Sequence, residues 1–400
     1  MADSLQALDK AFRRGFGEGG EIASPAMQNA IQDWFALYFN ARPTPTEDPS
    51  QRLACLVVQK LCRACFAEYS AGASGEFNTR CLAALNRVSK KAMQLAMIGG
   101  EAFLKPVPEP KTGRLYFTVM RRDMTLVLGR SPAGEITALG SAQLFQKGSR
   151  RFTLLEKRSL DGLGQLVIET RLFESRSPGQ LGLRVPLATL AETAGLRAKL
   201  VLPGLEGLGV VGLRFSGENC VDGSPDGVSI YAPAAGLIHS IDRAERRLER
   251  EFENSASRVF ASADLLRRRG AARQLPEGLF VALDDDPETT GITLYAPQIR
   301  EQSYLARKAE QLRNLESLLG LKRGLLGPVE AAQRTATEVT SSEGDYAMTI
   351  ADLRQGWQAA AEKALALANR LGRLYGLPGA GTGQPQLAIR WGDGDLKTQE

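Results

Sequence analysis

The chain has 400 residues, 43% hydrophobic and 24% charged, the balance of an ordinary globular protein with two or three domains or one elaborate one. A net charge of +5 permits contact with nucleic acid but falls well short of an arginine-rich tail. Five cysteines, three of them (Cys55, Cys62, Cys65) in one apolar segment, fit reduced buried thiols and argue against a secreted disulfide framework.

The first residues, Met1 to Phe16, are interrupted by Asp3, Asp9, Lys10, Arg13 and Arg14, so they lack the apolar core of a signal peptide. No apolar run is long enough to predict a transmembrane helix, and a soluble protein is expected. Residues 1–98 read as helical. Ser24 before Pro25 predicts an N-cap, and Ile31, Trp34, Phe35 and Tyr38 follow at helical spacing. A second helix is predicted over about 49–69, with Leu53, Leu56, Val57, Leu61 and Phe66 buried. A third is predicted over about 77–97, stopping at Gly99-Gly100.

From 101 to about 215 the period changes. Leu115–Val119, Arg151–Leu155 and Leu166–Thr170 are β-prone and separated by glycine and proline, which predicts a mostly antiparallel region. From 228 to 320, two helices flank a small β unit. Leu237, Ile241, Ala244, Leu248 and Phe252 form the apolar stripe of the first, opposite a surface rich in Arg and Glu, with Asp242 and Arg246 spaced as an i,i+4 pair. Leu279–Leu283 and Ile292–Tyr295 read as strands around the turn Asp284–Pro287, and Leu305, Leu312, Leu315 and Leu319 line the return helix. A glycine-rich loop then precedes a helix of about sixty ångströms, opened by the capping box Thr335–Glu338. Its buried face is predicted as Tyr346, Ile350, Leu353, Trp357, Ala361, Ala364, Ala368, Leu371 and Tyr375, with Gly344 and Gly356 as candidate kinks. A short strand, Leu387–Trp391, ends the pattern.

Several motifs invite a chemical reading. Gly207–Gly212 has the form G-x-G-x-x-G, but a strand-like Leu213–Phe215 follows where dinucleotide binding needs a helix, so a loop leading into a strand is expected. Cys62-Arg63-Ala64-Cys65 lies mid-helix with no second ligand pair, which predicts buried thiols, as do Cys81 and Cys220. His239 is the only histidine, and no serine–histidine–acid set is in view; a hydrogen-bonded or interfacial role is expected. Asp284-Asp285-Asp286 has the chemistry of a divalent-metal cluster and equally that of a solvated turn before Pro287, and no general base or nucleophile accompanies it. Arg267-Arg268-Arg269 is either a solvated loop or a contact for DNA or an acidic partner.

The order of these zones, with particular strings, resembles the portal (minor capsid) proteins of long-tailed bacteriophages. Ile31–Tyr38 is similar to the family's early helix, Ile98–Lys105 to the junction that opens the wing, and Gly227–Tyr231 with Leu237-Ile238, Ile241-Asp242 and Glu251-Phe252 to the first stem helix. Pro297–Arg300 resembles the start of the second stem helix, and Arg334-Thr335-Ala336-Thr337-Glu338-Val339 the opening of the long helix after the tunnel loop. The likeness runs collinearly over about residues 25–376.

The resemblance implies an α+β portal fold: wing 1–227, first stem helix 228–257, small α/β clip 258–297, second stem helix 298–319, tunnel loop 320–334, long kinked helix 335–376 and a short tail 377–400 with a reduced crown. It implies a structural ring, of twelve subunits in this family, at one capsid vertex of the virion. Viral double-stranded DNA would pass through it during packaging and ejection. Terminase, a head–tail connector or adaptor, and the major capsid and scaffold proteins would be its partners. Lys322, Arg323 and Arg334 would face the DNA, Leu248, Phe252, Leu305 and Leu312 would form the stem interface, and Arg267, Arg268 and Arg269 would bind partners at the clip. No catalytic residue, metal or cofactor is expected. The alternatives are a metal-dependent nuclease or phosphoryl-transfer enzyme using Asp284–Asp286, and another oligomeric connector or adaptor of the virion.

Overall fold

The computed structural model describes residues 5–17, 19–40, 50–177, 179–205, 207–215, 217–255, 258–262, 280–283, 293–295, 298, 300–327, 336–381 and 385–392. The fold is mixed α and β. Helix α1 (Leu5–Phe16) leads to α2 (Pro25–Phe39), which starts as its sequence demands: Ser24 Oγ accepts the Met27 N–H at 3.1 Å and Pro25 occupies the first turn. Met27, Ile31, Trp34 and Phe35 turn inward. The predicted second helix is shorter than its apolar pattern. It runs as α3 (Leu53–Cys65), and the chain turns through Glu68 at φ 54° into strand β1 (Ser70–Ala73). The third predicted helix is two, α4 (Glu76–Asn86) and α5 (Ser89–Gly99). Between them Val88 N–H reaches back only to Leu85 O, and the Ser89 hydroxyl bonds Asn86 O at 2.9 Å, so the chain tightens where the apolar period alone reads straight through.

Helix α5 stops at Gly100, whose φ of 77° a side chain would resist. A Cβ there would also run into the backbone of Gly227, so this glycine pair lets two chain segments touch where the β region opens and where the chain leaves it.

Strands β2 (Glu101–Glu109), β3 (Arg114–Arg121), β4 (Thr125–Arg130), β5 (Ile136–Lys147), β6 (Arg150–Leu160), β7 (Leu166–Ser175), β8 (Leu183–Val185), β9 (Lys199–Leu202) and β10 (Val211–Arg214) pair antiparallel throughout. They form one sheet in the order β10-β2-β3 and a larger one in the order β4-β5-β6-β7-β8, with β9 also on β7. Beyond them come α6 (Ala235–Asn254), the short strands β11 (Arg258–Ser262), β12 (Phe280–Leu283) and β13 (Thr293–Tyr295), then α7 (Glu301–Leu318), α8 (Ala336–Leu374) and β14 (Leu387–Arg390). Strands β12 and β13 are not neighbours in the sheet. Both pair with β11, β12 parallel and β13 antiparallel, and β11 is a strand that five residues of sequence did not announce.

Helix α8 crosses β2 and β10 and packs on α3 and α4. Ile350, Leu353, Trp357, Ala361, Ala364, Ala368 and Leu371 are buried, with Tyr346 and Tyr375 half-buried, so the predicted face is the observed one. The helix runs unbroken through Gly344 and Gly356. At Gly356 a Cβ would stand 2.8 Å from the Phe215 ring, so this glycine makes room for the chain that follows β10. Strand β14 pairs with β1, and Trp391 beside it packs on Phe66 and Tyr69. No described helix is long and apolar enough to cross a membrane.

Two buried ionic groups tie the β region together. Arg122, 1% exposed, donates to both oxygens of Glu21 (3.3 and 3.2 Å) and to Thr125 O (2.7 Å). Lys105 Nζ lies 2.7 Å from both oxygens of Glu156, which also takes Arg158 Nε at 2.7 Å. Burial alone would push the Glu156 carboxyl up, but Arg158 and then Lys105 hold it down at about 2.

Candidate functional site

The helix pair α6–α7 leaves large apolar side chains uncovered, and a glycine-bearing loop follows it. The helices run antiparallel, and polar contacts link them along their length. Glu251 accepts Arg300 Nε and Nη2, both at 2.9 Å, and the Tyr304 hydroxyl at 3.0 Å. Lys308 Nζ meets Glu245 at 2.8 Å, and Gln311 Nε2 donates to the Ser240 hydroxyl at 3.2 Å. The Arg300 side chain, with its backbone N–H and Tyr304, holds the Glu251 carboxyl down at about 2.

The inner end of the pair is clamped to the helical layer. Lys308 also bonds Gln51 Oε1 at 2.9 Å, and the Asp242 carboxylate takes the Gln51 N–H at 2.9 Å, just ahead of α3, whose own N-cap residue Arg52 offers no side-chain bond. Asp242 is thus buried at 2% exposure and serves the start of another helix. His239 Nε2 lies 2.8 Å from Asp33 Oδ1, the hydrogen-bonded role expected of it, and Tyr231 donates to Trp34 O at 2.7 Å.

The apolar stripe is covered only at this clamped end. Ile238 and Ile241 are buried and Leu237, Ala244 and Leu248 half-buried, while Phe252 is 44% and Leu305 50% exposed. Leu312 is half-buried against the core. Arg250 lies exposed on the charged side, and Arg246 is half-buried.

Of the loop residues, Lys322 pairs with Glu343 at 2.7 Å, and Arg323 is half-buried against α7. The glycines predict a mobile connector, yet residues 320–327 are tied down. Glu316, 2% exposed, accepts the N–H of Gly324 at 3.1 Å and of Leu326 at 2.8 Å; Leu321 is buried, and Thr349 Oγ1 donates to Gly320 O at 3.2 Å. Sequence reading missed Glu316, because one acidic residue on an amphipathic helix looks like surface. Its one signal is the glycine loop a few residues on, whose N–H groups need an acceptor. Arg334, Arg267, Arg268, Arg269 and Asp284–Asp286 lie outside the described residues.

The remaining motifs are structural. Gly207 and Gly209 turn with positive φ into strand β10, as the sequence predicts for that glycine run. Burial pushes the Cys62 thiol up to about 11 and those of Cys65 and Cys81 up to about 12, far from a reactive thiolate. Cys220 is exposed, against the expectation of burial, in the loop that follows β10. Among the described residues no three metal-ligating side chains cluster.

No family profile and no curated protein matches the chain. Among solved structures it is similar to a chain in the neck of a native gene transfer agent particle computed with C12 symmetry, at 13% identity and a TM-score of 0.47, covering 96% of this chain and 89% of that one. It is also similar to a chain in the neck of the empty particle computed with C6 symmetry, at 13% identity and a TM-score of 0.46, covering 97% and 90%. Likenesses this faint assign the chain to no family.

Proposed function

We propose that the chain is a portal subunit: a structural, ring-forming protein at one vertex of a phage-like capsid, through whose channel double-stranded DNA is packaged and ejected. The observation that carries this reading is the helix pair α6–α7, linked by ion pairs and clamped at one end, with Phe252 and Leu305 left exposed. Large apolar side chains held on a rigid pair need a further surface, and a heterologous contact repeated around an axis closes into a ring.

In this reading residues 1–227 are the wing, 228–257 and 298–319 the stem helices, 258–297 the clip, 320–334 the tunnel loop and 335–376 the helix returning to the wing. The ring has twelve subunits, with Leu248, Phe252, Leu305 and Leu312 between neighbours. Lys322, Arg323 and Arg334 approach the DNA. The Arg267–Arg269 run meets terminase during packaging and a connector afterwards, and capsid and scaffold proteins surround the wing. The modest net charge of +5 suits a channel along which DNA must slide.

End-on electron microscopy and light scattering of the purified protein test this reading. Closed rings with a central hole are expected, and a strictly monomeric mass at micromolar concentration and moderate salt would overturn it. The Lys322→Ala, Arg323→Ala double variant is expected to form rings but to yield fewer DNA-filled heads per infected cell. Divalent-metal-dependent cleavage of DNA would favour the nuclease alternative instead.

A further inference from the structure

Tyr304, Lys308 and Gln311 face α6, so by helical period positions 306, 310 and 313 lie on the opposite side of α7. There Ala306, Arg307, Glu310, Arg313 and Asn314 form the floor of a groove of about 570 Å³, and Arg323 reaches in from the loop. Three guanidinium groups meet a single carboxylate, and that one, Glu310, is taken by Arg307 at 3.1 Å. Among the described residues neither Arg313 nor Arg323 has an acidic partner.

Arg323 carries a stronger signal. Its Nη1 is shut off from solvent and donates to no acceptor. A shielded guanidinium N–H normally finds one, because leaving it unmade forfeits its hydration without return. The backbone that carries the group is fixed on both sides, because Glu316 takes the Leu321 N–H on its carbonyl at 2.8 Å and the Gly324 and Leu326 N–H groups on its carboxylate. The loop backbone is therefore set against α7 before any acceptor arrives.

We propose that this groove is a binding site for a phosphate-type oxyanion. The Arg313 fork and the groove-facing N–H groups of the half-buried Arg323 would grip its oxygens, with the Asn314 amide and the outer N–H groups of Arg307 beside them. A carboxylate offers two oxygens and fills one fork, whereas a tetrahedral oxyanion presents oxygens to several forks and matches the excess of two positive charges. Every group comes from one chain, so the inference does not depend on the ring proposed above. The same chemistry is offered by free phosphate and by the phosphodiester of duplex DNA.

The test uses the full-length protein. Inorganic phosphate at constant ionic strength is followed by calorimetry, and a short DNA duplex by fluorescence anisotropy. Wild type is expected to bind phosphate, and Arg313→Gln and Arg323→Gln each to weaken it on the order of tenfold. Arg323→Lys keeps the charge but loses the fork; it is expected to weaken phosphate several-fold with an unchanged melting curve, so the result stands even if a glutamine variant unfolds. Arg13→Gln, on distant α1, should change nothing. Displacement of phosphate by the duplex assigns the site to the DNA backbone, and absence of competition assigns it to free phosphate; either upholds the site. No phosphate binding by wild type, or equal affinity in wild type, Arg313→Gln and Arg323→Lys, would overturn it.

Discussion

The long helix α8 and the helix pair α6–α7 carry the same kind of sequence, an apolar stripe at helical spacing, and meet opposite fates. On α8, Trp357, Ala361, Ala364 and Ala368 are at most 0% exposed, enclosed by β2, β10, α3 and α4. On α6, full burial of apolar side chains stops at Ile241, and Phe252 further out stands 44% exposed. A stripe therefore states that a helix has an apolar neighbour, but not whether that neighbour belongs to the same chain. The contrast is sharpest where truncating one side chain should unfold the molecule and truncating another should leave it folded but alone.

Trp357→Ala should produce the largest effect. It empties a site enclosed on all sides, and a loss of about 3–5 kcal/mol in denaturant unfolding is expected. A loss below about 1 kcal/mol would mean that α8 is not the enclosed helix its stripe predicts. Glu156→Gln comes next, at about 3 kcal/mol, because it strands the Lys105 and Arg158 charges inside the β region. The pH dependence has a definite sign. The folded carboxyl is held at about 2, below its ordinary value of ~4.3, so its contribution is complete above that ordinary value. It fades as pH falls toward about 2, since the unfolded chain takes up the proton first. The gap between wild type and Glu156→Gln should therefore narrow over that acidic window, and a gap independent of pH there would contradict the pairing.

Phe252→Ala should behave differently. With much of the ring already in solvent, unfolding of the unassembled chain should change by about 1 kcal/mol or less. If the chain forms the proposed ring, its assembly, read by light scattering, should fail or shift to higher protein concentration. Unaltered assembly would remove Phe252 from the subunit wall.

What was legible in the sequence follows the same division. The face of α8, the Ser24 cap and the stop at Gly100 are local events, set by period, hydroxyl and missing side chain within a few residues of each other. What escaped depends on partners far along the chain. Strand β11 is defined by β12 and β13 on its two sides. Asp242 serves Gln51, and Glu316 serves a loop whose N–H groups its own helix does not reveal. A buried carboxylate has the same letter as an exposed one, and only the position of its acceptor bonds in space separates them. At the candidate site the sequence picked out Arg323, but for its place in a glycine loop. The feature that singles it out, a shielded donor on a loop laid beside α7, depends on the fold and not on the letters around it.

The smallest effect belongs to Arg250→Gln, two positions from Phe252. Arg250 is exposed, and among the described residues it forms no ion pair. A solvated guanidinium gives up little when it is neutralised, because water and salt already screen it. The change in unfolding free energy should stay within about 1 kcal/mol, no larger than that of Phe252→Ala in the unassembled chain. The two variants part company only on assembly. If Phe252 lies between neighbours and Arg250 on the solvated side, Phe252→Ala disrupts rings at a concentration where Arg250→Gln still forms them. Equal disruption by both would mean that the neighbouring surface reaches across the charged side as well. The helix pair would then be enclosed in its assembly much as α8 is enclosed within the chain.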